Sequence, residues 1–222
     1  MPTIAVRRPH ESGAANAGRQ HTTGLLAWLA VAGVAVYVVL DVIAQTLPPH
    51  YSPIRQAESD LAVGPYGWIM TVNFVVRGLL SAAVLAALWR TLAPSGRTRL
   101  GLSLLGVWTA GAFLLAMFPT DVGSTSSTHG KVHLAVALVA FVCIPIAEHL
   151  LSRSMADAPH RAALAARVTP VAYLALAALV LLLVGTRVPR IGGLTERIFL
   201  AAVLLWLLLV ALDLCHPGGH TA

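Results

Sequence analysis

Arg77 is the residue whose chemistry the rest of the chain must explain. It stands in an apolar run, one helical turn beyond Asn73, near the end of the stretch YSPIRQAESDLAVGPYGWIMTVNFVVRG that begins at Tyr51. A charge inside a membrane span is expensive, therefore rare, and usually paired or turned toward a wet cavity. If the run enters the bilayer near Trp68, Arg77 lies about 14 Å deep, close to the middle of a core about 30 Å thick. Asp41, about 9 Å beneath the same boundary on the preceding apolar run, is the leading ion-pair partner, with Asn73 as a further hydrogen-bond partner. Such a pair can tie two helices together or bind a substrate, and the residues favour neither role over the other.

The polar loop ahead of that run carries Ser52, Arg55, Glu58, Ser59 and Asp60. Glu58 and Asp60, two residues apart, supply an acid and a base if the loop dips into a partly dry mouth. Left in water they are ordinary solvated carboxylates, the commoner fate. Ser52 and Ser59 have nucleophile chemistry, but no GxSxG elbow or SxxK pattern surrounds them. Arg77, Asn73, Asp41, Ser52 and Arg55 are thus the candidates to bind a substrate.

Further along, His129 and His133 are spaced i, i+4 and can share one helix face, as two metal ligands do, with Asp121 as a third. The motif reads HGKVH and lacks the glutamate of HExxH. A divalent metal is the one cofactor these residues suggest; the plainer alternative has one histidine packing at the interface and the other meeting water. Asp121, His129, His133, Glu58 and Asp60 are the candidates for acid–base work, and Ser127 or Thr128 for a helix cap.

The elements that must position these groups are membrane spans. Of 222 residues, 57% are hydrophobic and only 11% charged, with mean hydropathy +0.78, whereas soluble domains carry about 25% charged residues. The net charge of +6 sits at the ends of apolar runs rather than on a basic face with interleaved aromatics, which argues against nucleic acid as a partner. Cys143 and Cys215 form neither a disulfide framework nor a CxxC motif. Six runs reach the length needed to cross, at 24–47, 68–92, 99–118, 131–151, 168–186 and 196–215. They predict an all-α membrane protein, a compact six-helix bundle over 22–215 between a disordered tail at 1–21 and a short tail at 216–222.

Orientation follows from the short-loop arginines and lysines. With the N-terminus inside, Arg7, Arg8, Arg19, Arg90, Arg97, Arg99, Arg153, Arg161 and Arg167 are cytoplasmic. Arg55, Lys131, Arg187, Arg190 and Arg197 are then outside. Both termini are therefore expected in the cytoplasm of a cell-membrane protein, with Tyr66 and Trp68 at the outer interface and Trp89 at the inner one. Gly78 with Ala82, and Gly106 with Ala110, predict close helix approach. Pro145 predicts a bend. The loop over 50–67, the longest on the outer side, is expected to fold back over the bundle. That side also receives Asp121, the turn Gly123–Thr128, both histidines, and Arg187, Arg190, Glu196 and Arg197. The inner side has mostly arginine, with Asp157, His160 and the Glu148–His149 pair; Glu148 and Asp213 are expected where water can reach them. His216 and His220 make a poor metal site.

In order, YSPI…ESDLAVGPYGW, the helix with Asn73 and Arg77, FPTD and HGKVHLAVALVAF resemble the bacterial and archaeal multi-spanning membrane proteins catalogued as domain of unknown function 998. The resemblance runs from about residue 24 to 215. It implies six spans, no established activity and no catalytic residues to carry over.

Two readings stand on these residues. The first is a membrane-embedded enzyme acting on a lipid or isoprenoid, by head-group hydrolysis or acid-initiated cyclisation, with Arg77 and Asn73 at the anionic group. The second is a small transporter or a subunit that binds lipid or another membrane protein. A homodimer would supply volume that six spans lack. No pair of broken helices in matching halves supports transport.

Overall fold

A computed structural model of the chain describes residues 9–123, 126–185, 188 and 190–215. Arg7, Arg8, Arg187, His216, His220 and part of the Gly123–Thr128 turn lie outside them. The protein is an all-α bundle of six helices, each long and apolar enough to cross a membrane. They are α1 (Pro9–Thr46), α2 (Gly67–Thr91), α3 (Gly96–Met117), α4 (Thr128–Ala156), α5 (Ala162–Gly185) and α6 (Gly192–Leu214). Helix α1 begins within the segment expected to be disordered. Each helix packs on the next, α6 closes against α1, and α2 also touches α6.

Lipid tails are as apolar as leucine, so close backbone approach and interhelical hydrogen bonds must hold such a bundle together. Both are present. A Cβ on Gly78 would lie 2.7 Å from the Phe113 ring, so α3 rests directly on the α2 backbone there. Two buried tryptophans bridge helices: Trp108 Nε1 donates to Ser81 Oγ at 3.0 Å and Trp206 Nε1 to Ser152 Oγ at 2.9 Å. The Gly106 position does not behave as expected, since its nearest neighbour would be Leu85 Cδ2 at 3.9 Å and no helix closes on it. Helix α4 runs on through Pro145, and its N-cap is Ser127, whose hydroxyl accepts from the Gly130 N–H.

The long loop does fold back over the bundle, and Arg197 of α6 fastens it. Its Nη1 donates to the carbonyls of Pro53 (2.9 Å) and Gln56 (3.1 Å), and its Nη2 to the Tyr51 hydroxyl at 2.5 Å. Leu194 N–H donates to the Ile54 carbonyl at 3.0 Å. A Cβ on Gly193 would collide with the Gln56 carbonyl at 2.1 Å, so only glycine admits the loop this close. Its next part, a short 3-10 helix over Glu58–Ala62, is thereby pressed onto the helix ends, with Glu58 and Leu61 buried.

Candidate functional site

Beneath that 3-10 helix lies a cavity of about 370 Å³, walled by α2, α3, α4, α5 and α6. Glu58, Ser59 and Asp60 line its roof, Arg77 and Phe74 come from α2, Thr120 follows α3, His133 comes from α4 and Glu196 from α6. Leu134, Leu138 and Leu183 belong to its apolar lining, and all three are also exposed on the helices' outer surface, Leu134 to 70%. The cavity therefore has a polar inner end and an apolar flank facing lipid.

Arg77 is almost wholly removed from solvent, being only 2% exposed. Its guanidinium carbon lies 5.0 Å from the Phe74 ring centre and 4.8 Å from that of Trp108, a cation held between two π faces. None of its N–H groups has an acceptor among the described residues, and Nε is a buried donor with no partner. The guanidinium carries five donors in a planar fork suited to a carboxylate or phosphate.

Glu58 is 3% exposed. Tyr37 of α1 donates its hydroxyl to Glu58 Oε1, and the Glu58 N–H donates to Glu196 Oε2 at 3.0 Å. Burial, reinforced by the Asp41 charge, pushes the Glu58 carboxyl up to about 7; Arg77 and the Tyr37 hydroxyl hold it from rising further. Burial also raises Asp60. A carboxyl near 7 holds and releases its proton in the range a general acid or base requires. His133 is buried, and its Nδ1 lies 2.7 Å from the Phe118 carbonyl oxygen. A carbonyl can only accept, so Nδ1 carries the hydrogen and Nε2 is left with a free lone pair. Its ring meets the edge of Phe74 at 6.2 Å, next to Arg77.

The structure thus brings Glu58, Asp60, Arg77 and His133 to one cavity and leaves other expected members outside. Asp41 does not pair with Arg77: its Oδ2 accepts from Gln45 at 2.5 Å, and the one ion pair among the described residues is Arg97–Asp157. Asp41 lies on the α1 face toward α6, where its neighbouring cation is Arg197. Asn73 is fully buried with both amide atoms unpartnered, beside the cavity rather than lining it. Ser52 and Arg55 belong to the turn gripped by Arg197; Ser52 N–H donates to Gln56 Oε1 at 2.8 Å and Arg55 is exposed.

The Asp121–His129–His133 ligand set does not assemble. Both Asp121 oxygens are taken by Ser127, from its N–H and its hydroxyl at 2.7 Å each, which hold that carboxyl below its usual range. His129 is exposed against the Phe118 ring, while His133 turns inward. Among the described residues no three of His, Cys, Asp and Glu are grouped as metal ligands. At the other end Glu148 is not water-accessible: it is fully buried with neither oxygen partnered.

Two site residues escape sequence reasoning. Glu196 stands beside the more conspicuous Arg197 and falls into the outer polar group without a role; its signal is a carboxylate five residues into an apolar helix. Tyr37 is hidden in a span rich in valine and alanine.

The family model described as protein of unknown function, DUF998, matches residues 31–213. The chain belongs to that family. No curated protein and no solved structure matches this DUF998 member. The matched region runs from within α1 almost to the end of α6, so it covers every residue that lines the cavity.

Proposed function

We propose that this multi-pass membrane protein is an enzyme that hydrolyses the head group of an amphiphile carrying a carboxylate or phosphate. The observation that carries the reading is Arg77, a guanidinium inside a mid-membrane cavity with no acceptor among the described residues. An anionic head supplies what it lacks, and the lipid or isoprenoid chain lies along Leu134, Leu138 and Leu183. Acid-initiated cyclisation fits less well, because an unneutralised guanidinium repels the carbocation that such a reaction forms.

In the proposed step, water attacks the acyl or phosphoryl centre of the head group and gives its proton to His133 Nε2. The bond from that centre to the leaving oxygen breaks, and Glu58 in its acid form protonates that oxygen. Arg77 holds the charge that grows on the reacting centre. No metal is needed by this scheme. Both termini lie in the cytoplasm on this reading, so the cavity opens at the extracytoplasmic side of the cell membrane.

Purified protein in mixed micelles should release head group from an anionic lipid. Glu58→Gln and His133→Gln should each lower turnover at least about a hundredfold with binding retained. Undiminished turnover in both variants would remove the catalytic assignment; binding with no turnover in wild type would leave a lipid-binding or transport module.

A further inference from the structure

A second site lies at the opposite end of the bundle, about 20 Å along α2 from Arg77. Arg19 of α1 and Arg90 of α2 line one hollow of about 620 Å³ with Gly18, Thr22 and Trp89. Among the described residues neither arginine forms an ion pair and no carboxylate lines the hollow. Trp89 and Arg90 also line an adjoining trough of about 390 Å³ between α2 and α3, floored by Ala82, Leu85, Ala86 and Leu102. The small residues explain the trough: Ala82 and Ala86 project little, and the nearby Gly106 is not closed over by another helix. Trp89, 70% exposed, stands where the two hollows meet.

Two cations with no ion-pair partner among the described residues, then an indole, then an apolar channel running along the helices match the order of groups in a phospholipid. We infer that this end binds a phospholipid of net negative charge, its phosphate between Arg19 and Arg90 and its upper chain beside Trp89 and Ala86. A zwitterionic lipid would place its own cation against the arginines, so the site discriminates by head-group charge. Nothing in it depends on what the Arg77 cavity does.

The test uses the full chain in mixed micelles with chain-brominated phosphatidylglycerol or phosphatidylcholine, following the quenching of Trp89 as the difference between wild type and Trp89→Phe. Phosphatidylglycerol should be preferred roughly tenfold. The double variant Arg19→Gln, Arg90→Gln, altered only at exposed side chains, should bring the preference to about one. Filling the trough with Ala86→Leu should weaken quenching by phosphatidylglycerol. Equal quenching by the two lipids in wild type, an unchanged preference in the double variant, or an unchanged signal in Ala86→Leu would each overturn the inference. Displacement of the brominated lipid by soluble glycerol phosphate would overturn the lipid source in favour of a free phosphate.

Discussion

The two ends of the bundle handle charge in opposite ways. Around the cavity, charged and polar groups are buried and satisfy one another only in part. Tyr37 and the Glu58 carboxyl are joined, the Glu58 backbone and Glu196 are joined, and Arg77 is left over. At the far end the charges are mostly on the surface, where Arg97 meets Asp157 at 2.6 Å with both side chains in water. Glu148, fully buried, and Arg161, whose Nε and Nη1 are buried, are exceptions there. An exposed pair contributes at most about 1 kcal/mol, while stranding a buried charge costs several times more. Selection for a stable bundle alone would favour replacing Arg77 with an apolar residue. Held between Phe74 and Trp108, Arg77 is a buried cation, whereas Arg19 and Arg90 at the far end stand exposed.

The contrast can be broken by substitution, and the largest effects should come from the cavity end. Glu58→Gln removes a carboxyl whose folded value is raised from 4.5 to about 7. A raised acid contributes stability fully below its unfolded value and loses it as pH rises through the folded one. Wild-type stability from this group should therefore fall between about pH 4.5 and pH 7 by on the order of 3 kcal/mol, and Glu58→Gln should flatten that fall. Thermal unfolding in detergent across pH 4 to 9 reads the difference; parallel wild-type and variant curves would contradict it.

Next in size is Gly193→Val, whose side chain must displace the Gln56 carbonyl. It should cost about 1–3 kcal/mol and make the 50–67 loop accessible to protease, with α2 to α5 still protected. Arg197→Gln removes loop contacts without the collision and should loosen the same loop by a smaller amount, read by hydrogen exchange. The smallest effect belongs to Asp157→Asn at the far end, expected within about 1 kcal/mol of wild type and to vanish in high salt. A large loss there would erase the distinction between the two ends.

How much of the molecule is legible in the sequence depends on which physical signal carries it. Six apolar runs of spanning length determine six helices, because backbone groups in lipid have to be satisfied within the segment. Boundaries at 68–92 and 99–118 fall close to α2 and α3 for that reason. Arg77 is legible because a charge in hydrocarbon is conspicuous. Helix rotation is not: depth along a span says nothing of azimuth, and Asp41 faces α6. The i, i+4 spacing of His129 and His133 gives a shared side of α4, but His133 turns in to the Phe118 carbonyl and His129 remains exposed. Asp121 is spent on capping α4 through Ser127. The burial of Glu58 cannot be read locally at all, since it depends on Arg197, 139 residues further on, gripping the loop that carries it.

The central claim is that Arg77 awaits an anionic head group, and equilibrium binding tests it most directly. Wild type and Arg77→Gln, both shown to be folded in mild detergent, would be titrated with an anionic single-chain amphiphile and with its neutral ester. A wild-type preference for the anion of about a hundredfold, reduced to a few-fold in Arg77→Gln, is the expected result. Equal affinity of wild type for both probes, or a preference that survives in Arg77→Gln, would contradict it.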